Sequence, residues 1–163
     1  MTDGHFHILA GKIASGKSTL ASRLAADKAT VLISEDEWLA ALYGPEMASI
    51  KDYVRCSARL RTVMEAHLVA LLGAGLSVVL DFPANTPETR RWMKRVIDES
   101  GCNHTLHYLN VPDDVCRTRL QERNAAGGHQ FTVTDEQFEA ISRHFMPPSA
   151  DEGFEVREYG VEG

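Results

Sequence analysis

The most specific chemistry in the sequence sits in one run, Gly11-Lys12-Ile13-Ala14-Ser15-Gly16-Lys17-Ser18, which has the form G-x-x-x-x-G-K-[ST]. The glycines let the backbone curl so that successive N–H groups point inward, and such a concavity cradles phosphate oxygens. Lys17 brings a positive charge to the β- and γ-phosphates of a nucleotide, and the Ser18 hydroxyl suits a place on Mg²⁺. An apolar stretch precedes the run and a helical pattern follows it, so a helix N-terminus adds its dipole to the same spot. The expected phosphate site is the whole segment through Thr19.

Two acidic positions complement it. Asp81 closes the apolar run Leu76 to Leu80, at the strand end where ligands meet open α/β sheets. It can act near Mg²⁺ with Ser18, or simply cap the next turn. Asp36 lies in Ser34-Glu35-Asp36-Glu37-Trp38, on the first turn of a short helix. A carboxylate there can take the proton of an acceptor hydroxyl. Acidic residues favour any first helical turn, however, so Glu35 competes with Asp36 on chemistry alone.

Arg117, Arg119 and Arg123 are clustered, and the last two, four apart, share a helix face. The glycine-containing stretch Asn124 to Val133 follows, so residues 117–135 read as a lid carrying arginines that neutralise charge in phosphoryl transfer. A solvated face paired with Glu122 is the plainer alternative. Arg90 and Arg91 suit either acceptor contact or solvent. His5, His7, His104 and His107 have no metal-site spacing and read as hydrogen-bonded or surface groups. Trp38 and Trp92 follow candidate site residues and read first as packing residues, with a pocket wall as the alternative.

Strand-length apolar bursts alternate with helical patterns along the whole chain. His5 to Ala10, Thr30 to Ile33, Leu76 to Leu80, Thr105 to Val111 and Phe154 to Tyr159 are the strands. The first helix reads from Lys17 to about Lys28, and a short one from the Ser34/Glu37 capping box to Tyr43. A long helix follows from about Ser49 to Leu72, then one from Pro87 to before Gly101, and one from Pro112 to Arg123. A last helix starts at the Thr134/Gln137 box and ends at Pro147-Pro148. This order predicts an α/β class with a parallel sheet covered on both faces.

The chain has 163 residues, 44% of them apolar, which suits one core and a single domain over 1–163. A net charge of −6 argues against a nucleic-acid partner, which needs a basic face. Cys56, Cys102 and Cys116 form no zinc pattern and suit reduced thiols. No signal peptide or membrane-span pattern is legible, so the expected location is cytoplasmic, as a monomer or weak homodimer.

Taken together, the phosphate loop, Asp36, Asp81 and R-x-x-x-R resemble the small P-loop kinases of the nucleoside-monophosphate-kinase-like group. More narrowly, SEDEWLAALYG, VVLDFPANT, RLQERN and PPSADEGF resemble the bacterial AAA-type ATP-binding family. That family shares its fold with polynucleotide 5′-kinases, chloramphenicol phosphotransferase and zeta-toxin kinases. The resemblance implies a three-layer P-loop NTPase sandwich, with about five parallel strands in order 2-3-1-4-5 and an arginine-bearing helical lid. It also implies Asp36 as general base, above Glu35, Asp81 as the metal-side acid, and Arg119 and Arg123 as lid arginines, with Arg123 on the ATP phosphates. Polynucleotide 5′-kinases carry an arginine three residues after the base, where this sequence has Leu39, which favours a small hydroxylated acceptor. The expected activity is transfer of phosphate from Mg-ATP to a hydroxyl of a small molecule. The rivals are a nucleotide-dependent ATPase switch that binds a protein partner, and a polynucleotide 5′-hydroxyl kinase.

Overall fold

The computed structural model describes residues 4–127 and 133–161. Among these residues five strands form one sheet: β1 (His5–Gly11), β2 (Thr30–Ser34), β3 (Ser77–Pro83), β4 (Asn103–Leu109) and β5 (Val156–Tyr159). Every pairing is parallel, in the order β2-β3-β1-β4-β5. The α-helices are α1 (Lys17–Leu24), α2 (Glu35–Tyr43), α3 (Ile50–Gly73), α4 (Pro87–Ser100), α5 (Asp113–Ala126) and α6 (Asp135–Arg143).

Side chains alternate across the sheet, so each strand feeds two cores. Phe6 and Ile8 of β1 and Val78, Leu80 and Phe82 of β3 meet Leu60, Met64 and Leu68 of α3 and Met93 and Val96 of α4. Leu9 and Val79 face the other way, onto Leu20 and Ala21 of α1, Leu120 of α5 and Phe138 of α6. Covering both faces is why these strands read as nearly continuous apolar runs. The result is the three-layer sandwich that the alternation of elements predicts, in the expected strand order.

The element ends differ from the sequence reading for local reasons. The helix expected to reach Lys28 stops at Leu24, because residues 26–29 are exposed with no core to pack on. Ala29 then takes a left-handed turn (φ 57°) into β2. In the Ser34/Glu37 box only the forward half forms, Glu37 N donating to Ser34 Oγ at 3.4 Å, whereas the Thr134/Gln137 box is complete. α5 runs past Arg123 to Ala126, into the stretch read as a loop, where two alanines favour helix. The lid expected over 117–135 thus begins as regular helix, and its residues 128–132 lie outside the described residues. α6 ends at Arg143 rather than at the prolines, since the chain turns so that Met146 N donates to Asn85 O at 2.9 Å. None of the helices is long and apolar enough to cross a membrane among the described residues.

One irregularity positions the site. Between Ile8 and Leu9 the β1–β3 register shifts, so that Leu9 stands opposite Pro83. Ala84 N then donates to Leu9 O at 2.9 Å, carrying the end of β3 alongside the glycine that closes β1.

Candidate active site

At the carboxyl end of β1 the chain folds tightly back before α1. Ala14 (φ 63°) and Gly16 (φ 104°) are both left-handed, the first at the ordinary cost of a side chain there, the second freely because it has no Cβ. A Cβ on Gly11 would stand 2.5 Å from Ser15 Oγ, so the close approach demands glycine. Gly16 is the N-cap of α1, with no side-chain cap and no acidic residue in the first turn, leaving the helix N-terminus electropositive.

Lys17 folds back over this curl. Its Nζ donates to Gly11 O at 2.6 Å and Lys12 O at 3.1 Å. Burial pulls its pKa down to about 8, against the partly compensating charge of Asp81 and Asp36; Arg123 pushes the same way as burial. Ser18 Oγ donates to Asp81 Oδ2 at 3.0 Å, and burial raises the Asp81 pKa. The register that sets Ser34 opposite Asp81 brings the two acidic strand ends together.

Asp36 and Glu35, equal in sequence, diverge here. Glu35 is buried at 3% exposure and accepts from Tyr53 Oη and, at 2.7 Å, from Ser57 Oγ, both on α3. Burial raises its pKa and the two hydroxyls partly restore it. Its oxygens are thus spent on tying α2 to α3. Asp36 is exposed, and its charge acts on both Lys17 and Asp81. Leu39 is a core residue of α2, buried with Leu60 and Met64.

The arginines take three different roles. Arg119 donates to Ser15 O and Val161 O, each at 3.2 Å, tying α5 to the phosphate loop and to the segment after β5. Arg123 lies close enough to affect Lys17 electrostatically, and its buried Nε has no hydrogen-bond partner among the described residues. Arg117 pairs with Glu139 at 3.2 Å and covers the Phe138 ring, a link between α5 and α6. Lys12, inside the loop, pairs with Asp113.

Two residues that sequence reasoning did not place properly support the loop. Asn85 reads both sides of Gly11: its Nδ2 donates to Gly11 O and its Oδ1 accepts from Gly11 N, each at 2.9 Å. An Asn two residues after the strand's closing proline was the available signal. Arg90, read as either acceptor-binding or solvated, is neither. It is 1% exposed, donates to Glu152 and to the carbonyls of Ala84 and Met146, and fastens the C-terminal segment to the turn beside Asn85. Trp92 is buried and stacks on Phe82, as a packing residue, and Trp38 is partly exposed.

The histidines lie toward the opposite end of the strands. His7 Nδ1 meets His107 Nε2 at 2.9 Å, and His107 Nδ1 meets the Tyr159 hydroxyl at 2.7 Å, a chain of hydrogen bonds across β1, β4 and β5. Burial, reinforced by the neighbouring histidines, drives both imidazoles down to about 4. No cluster of three or more His, Cys, Asp or Glu side chains suited to a metal occurs among the described residues. Mg²⁺ asks for less, since it is commonly held by one or two protein oxygens together with phosphate and water.

The loop fits a nucleotide's phosphates. Its left-handed turn and uncapped helix start suit an anionic group, Ser15 Oγ and Arg123 Nε are without hydrogen-bond partners among the described residues, and Ser18 and Asp81 bring oxygens together at the start of the same helix.

A family model described as an AAA domain matches residues 6–148. Among curated proteins none matches the chain. Solved structures do. A proposed kinase of Chloroflexus aurantiacus is 20% identical and superposes with a TM-score of 0.78, covering 99% of this chain and 87% of that one. The APS kinase of Mycobacterium tuberculosis, solved with AMPPNP and APS, is 18% identical, with a TM-score of 0.62 over 98% of this chain and 90% of that one. A sugar kinase of a Janibacter species is 17% identical, with a TM-score of 0.65 over 100% and 87%. These likenesses establish the nucleoside-monophosphate-kinase-like P-loop fold.

Proposed function

We propose that this chain, which belongs to the AAA-domain family, is a phosphotransferase that passes the terminal phosphoryl group of Mg-ATP to a hydroxyl of a small molecule. The observation that carries the reading is Asp81, bonded to Ser18 at the start of the helix that carries Lys17, with the charges of Asp36 and Arg123 from two further elements reaching the same ammonium. A loop that only bound nucleotide would need the lysine and the backbone donors. It would not need a second, exposed carboxylate whose charge reaches both Lys17 and Asp81.

Mg²⁺, when bound, screens the charge of the phosphates. In this reading Ser18 and Asp81 hold it, and the segment Gly11, Lys12, Ile13, Ala14, Ser15, Gly16, Lys17, Ser18 and Thr19 binds the ATP phosphates. Lys17 stabilises negative charge at the transferring group, aided by Arg123, whose free Nε can turn toward it. Arg119 holds the loop in shape through Ser15 O and adds its charge to the same region. Asp36 orients the acceptor hydroxyl and takes its proton. Glu35 is the positioning residue that fixes α2, and hence Asp36, against α3.

Replacing one carboxylate at a time tests this assignment. Asp36→Asn is expected to leave nucleotide affinity nearly unchanged and to lower transfer roughly 10²–10⁴-fold, the usual contribution of a positioned base. Glu35→Gln is expected to lower the melting temperature with a smaller loss of transfer. Transfer is read as ADP formation across a panel of hydroxylated metabolites. ATP consumption without any acceptor, together with a protein partner that binds only the ATP-loaded form, would replace the kinase by a switch. Transfer to a 5′-hydroxyl oligonucleotide, weakened steeply by salt, would identify a polynucleotide kinase.

A further inference from the structure

We infer that the acceptor carries an anionic group, a carboxylate or a phosphate, beside its hydroxyl, and that Arg61 and Arg91 hold that group in a groove between α3 and α4. The inference rests on the phosphotransferase reading and names its substrate class.

The groove has a volume of about 430 Å³, and Arg61, Glu65, Glu88, Arg91, Trp92 and Arg95 line it. Its α3 wall continues a stripe that begins at the site already described. Ser57, Arg61 and Glu65 recur every four residues and so follow one line down the helix. Ser57 donates to Glu35, the neighbour of Asp36. Arg61, one turn further, is near enough that its charge lowers the Glu35 pKa. Glu65, another turn on, accepts from Arg95 of α4 at 3.2 Å. The groove therefore starts within a turn of the helix that carries the proposed base. Its α4 wall starts where β3 leaves Asn85 and the phosphate loop, with Glu88 and Arg91 in the first turns.

The charges in it are unevenly matched. Arg95 is paired with Glu65. Among the described residues Arg61 and Arg91 lie beyond salt-bridge distance of any carboxylate. Two guanidiniums lining one groove without a salt-bridge partner favour an anion there, which planar guanidinium forks bind in preference to neutral groups. The net charge of −6 makes such a pair stand out against the rest of the surface. Glu88, on the same lining, offers oxygen acceptors to hydroxyl groups. The chemistry that fits is a small hydroxylated anion, such as a hydroxy acid or a polyol phosphate.

The test uses full-length protein labelled with ¹⁵N and saturated with Mg-AMPPNP, so that the phosphate loop is filled. Glycerol 3-phosphate, glycerate and glycerol are titrated at constant ionic strength while the arginine Nε–H resonances are followed. The two anions are expected to shift Arg61 and Arg91, glycerol is not, and the tighter anion distinguishes phosphate from carboxylate. Arg61→Gln and Arg91→Gln should each weaken anion binding about tenfold or more, with unchanged melting temperature and AMPPNP affinity. Equal binding of glycerol, unchanged anion affinity in both variants, or no shift at either arginine would overturn the inference while leaving the phosphate-loop assignment standing. Failure of Mg-AMPPNP to bind, with the anions still shifting Arg61 and Arg91, would instead sink the kinase reading and uphold the groove as an anion site.

Discussion

Lys17, half-buried, and Arg90, fully buried, are two cations near Asn85, and the protein treats them in opposite ways. Arg90 is saturated: Nε meets Glu152 at 2.9 Å, and one terminal nitrogen meets Ala84 O and Met146 O at 2.9 and 2.8 Å. Lys17 receives only loop carbonyls, and no carboxylate stands within salt-bridge distance of it among the described residues. A buried charge with a full set of partners is a structural rivet. A half-buried charge held by neutral oxygens, with its pKa lowered to about 8, is left without a counter-charge in contact and suits an incoming anion. The difference separates what holds this end of the sheet together from the group that the proposed function assigns to binding there.

Breaking the rivet should have the largest effect. Arg90→Ala leaves Glu152 and two carbonyls without their donor, and is expected to cost about 3–5 kcal/mol of stability by urea denaturation. Arg90→Lys, which keeps the charge but not the fork, should recover only part of it. If Arg90→Ala proved neutral, the contrast would collapse.

Lys17→Ala should do the reverse. Mg-ATP affinity, measured by calorimetry, is expected to fall about a hundredfold through loss of charge-assisted contacts, with urea stability unchanged or slightly raised. A stability loss as large as that of Arg90→Ala would make Lys17 a second rivet.

The pH dependence sharpens the contrast further. In the folded chain Lys17 titrates near 8, and in the unfolded chain near the ordinary lysine value of 10.5. Below pH 8 both states are protonated and the fold bears the cost of a desolvated charge. Between pH 8 and 10.5 the unfolded state binds the extra proton, so this lysine makes stability rise with pH across that window. Phosphates favour the protonated form, so Mg-ATP affinity should decline above pH 8, approaching tenfold per unit. Lys17→Arg, which stays charged, should flatten that profile. An unchanged slope in that variant would assign the titration elsewhere.

The smallest effect belongs to the residue near the two cations. Asn85→Ala removes both hydrogen bonds to Gly11, and should cost about 1–2 kcal/mol of stability and a few-fold of nucleotide affinity. Were affinity alone to change, Asn85 would belong to the binding side of the comparison.

The sequence by itself determined the α/β class, the strand alternation, the glycine-bearing turn between β1 and α1 and the ends of β2 and β3 as places for acids. Those features are local: a glycine spacing, a capping serine, a run of apolar residues long enough for a strand buried on both faces. What it could not decide were choices made by distant neighbours. Glu35 and Asp36 are adjacent on one helical turn, and nothing local says which faces inward; Tyr53 and Ser57 of α3 settle it by supplying donors to Glu35. Arg90 and Arg91 are likewise adjacent, yet one is claimed by Glu152, 62 residues away, and the other is left in a groove. Asn85 reaches Gly11 only because the register shift in β1 draws the end of β3 alongside it. A side chain's type is written in the sequence, but its partner is found only when the chain folds back, because hydrogen bonds and ion pairs act over a few ångströms whatever the distance along the chain.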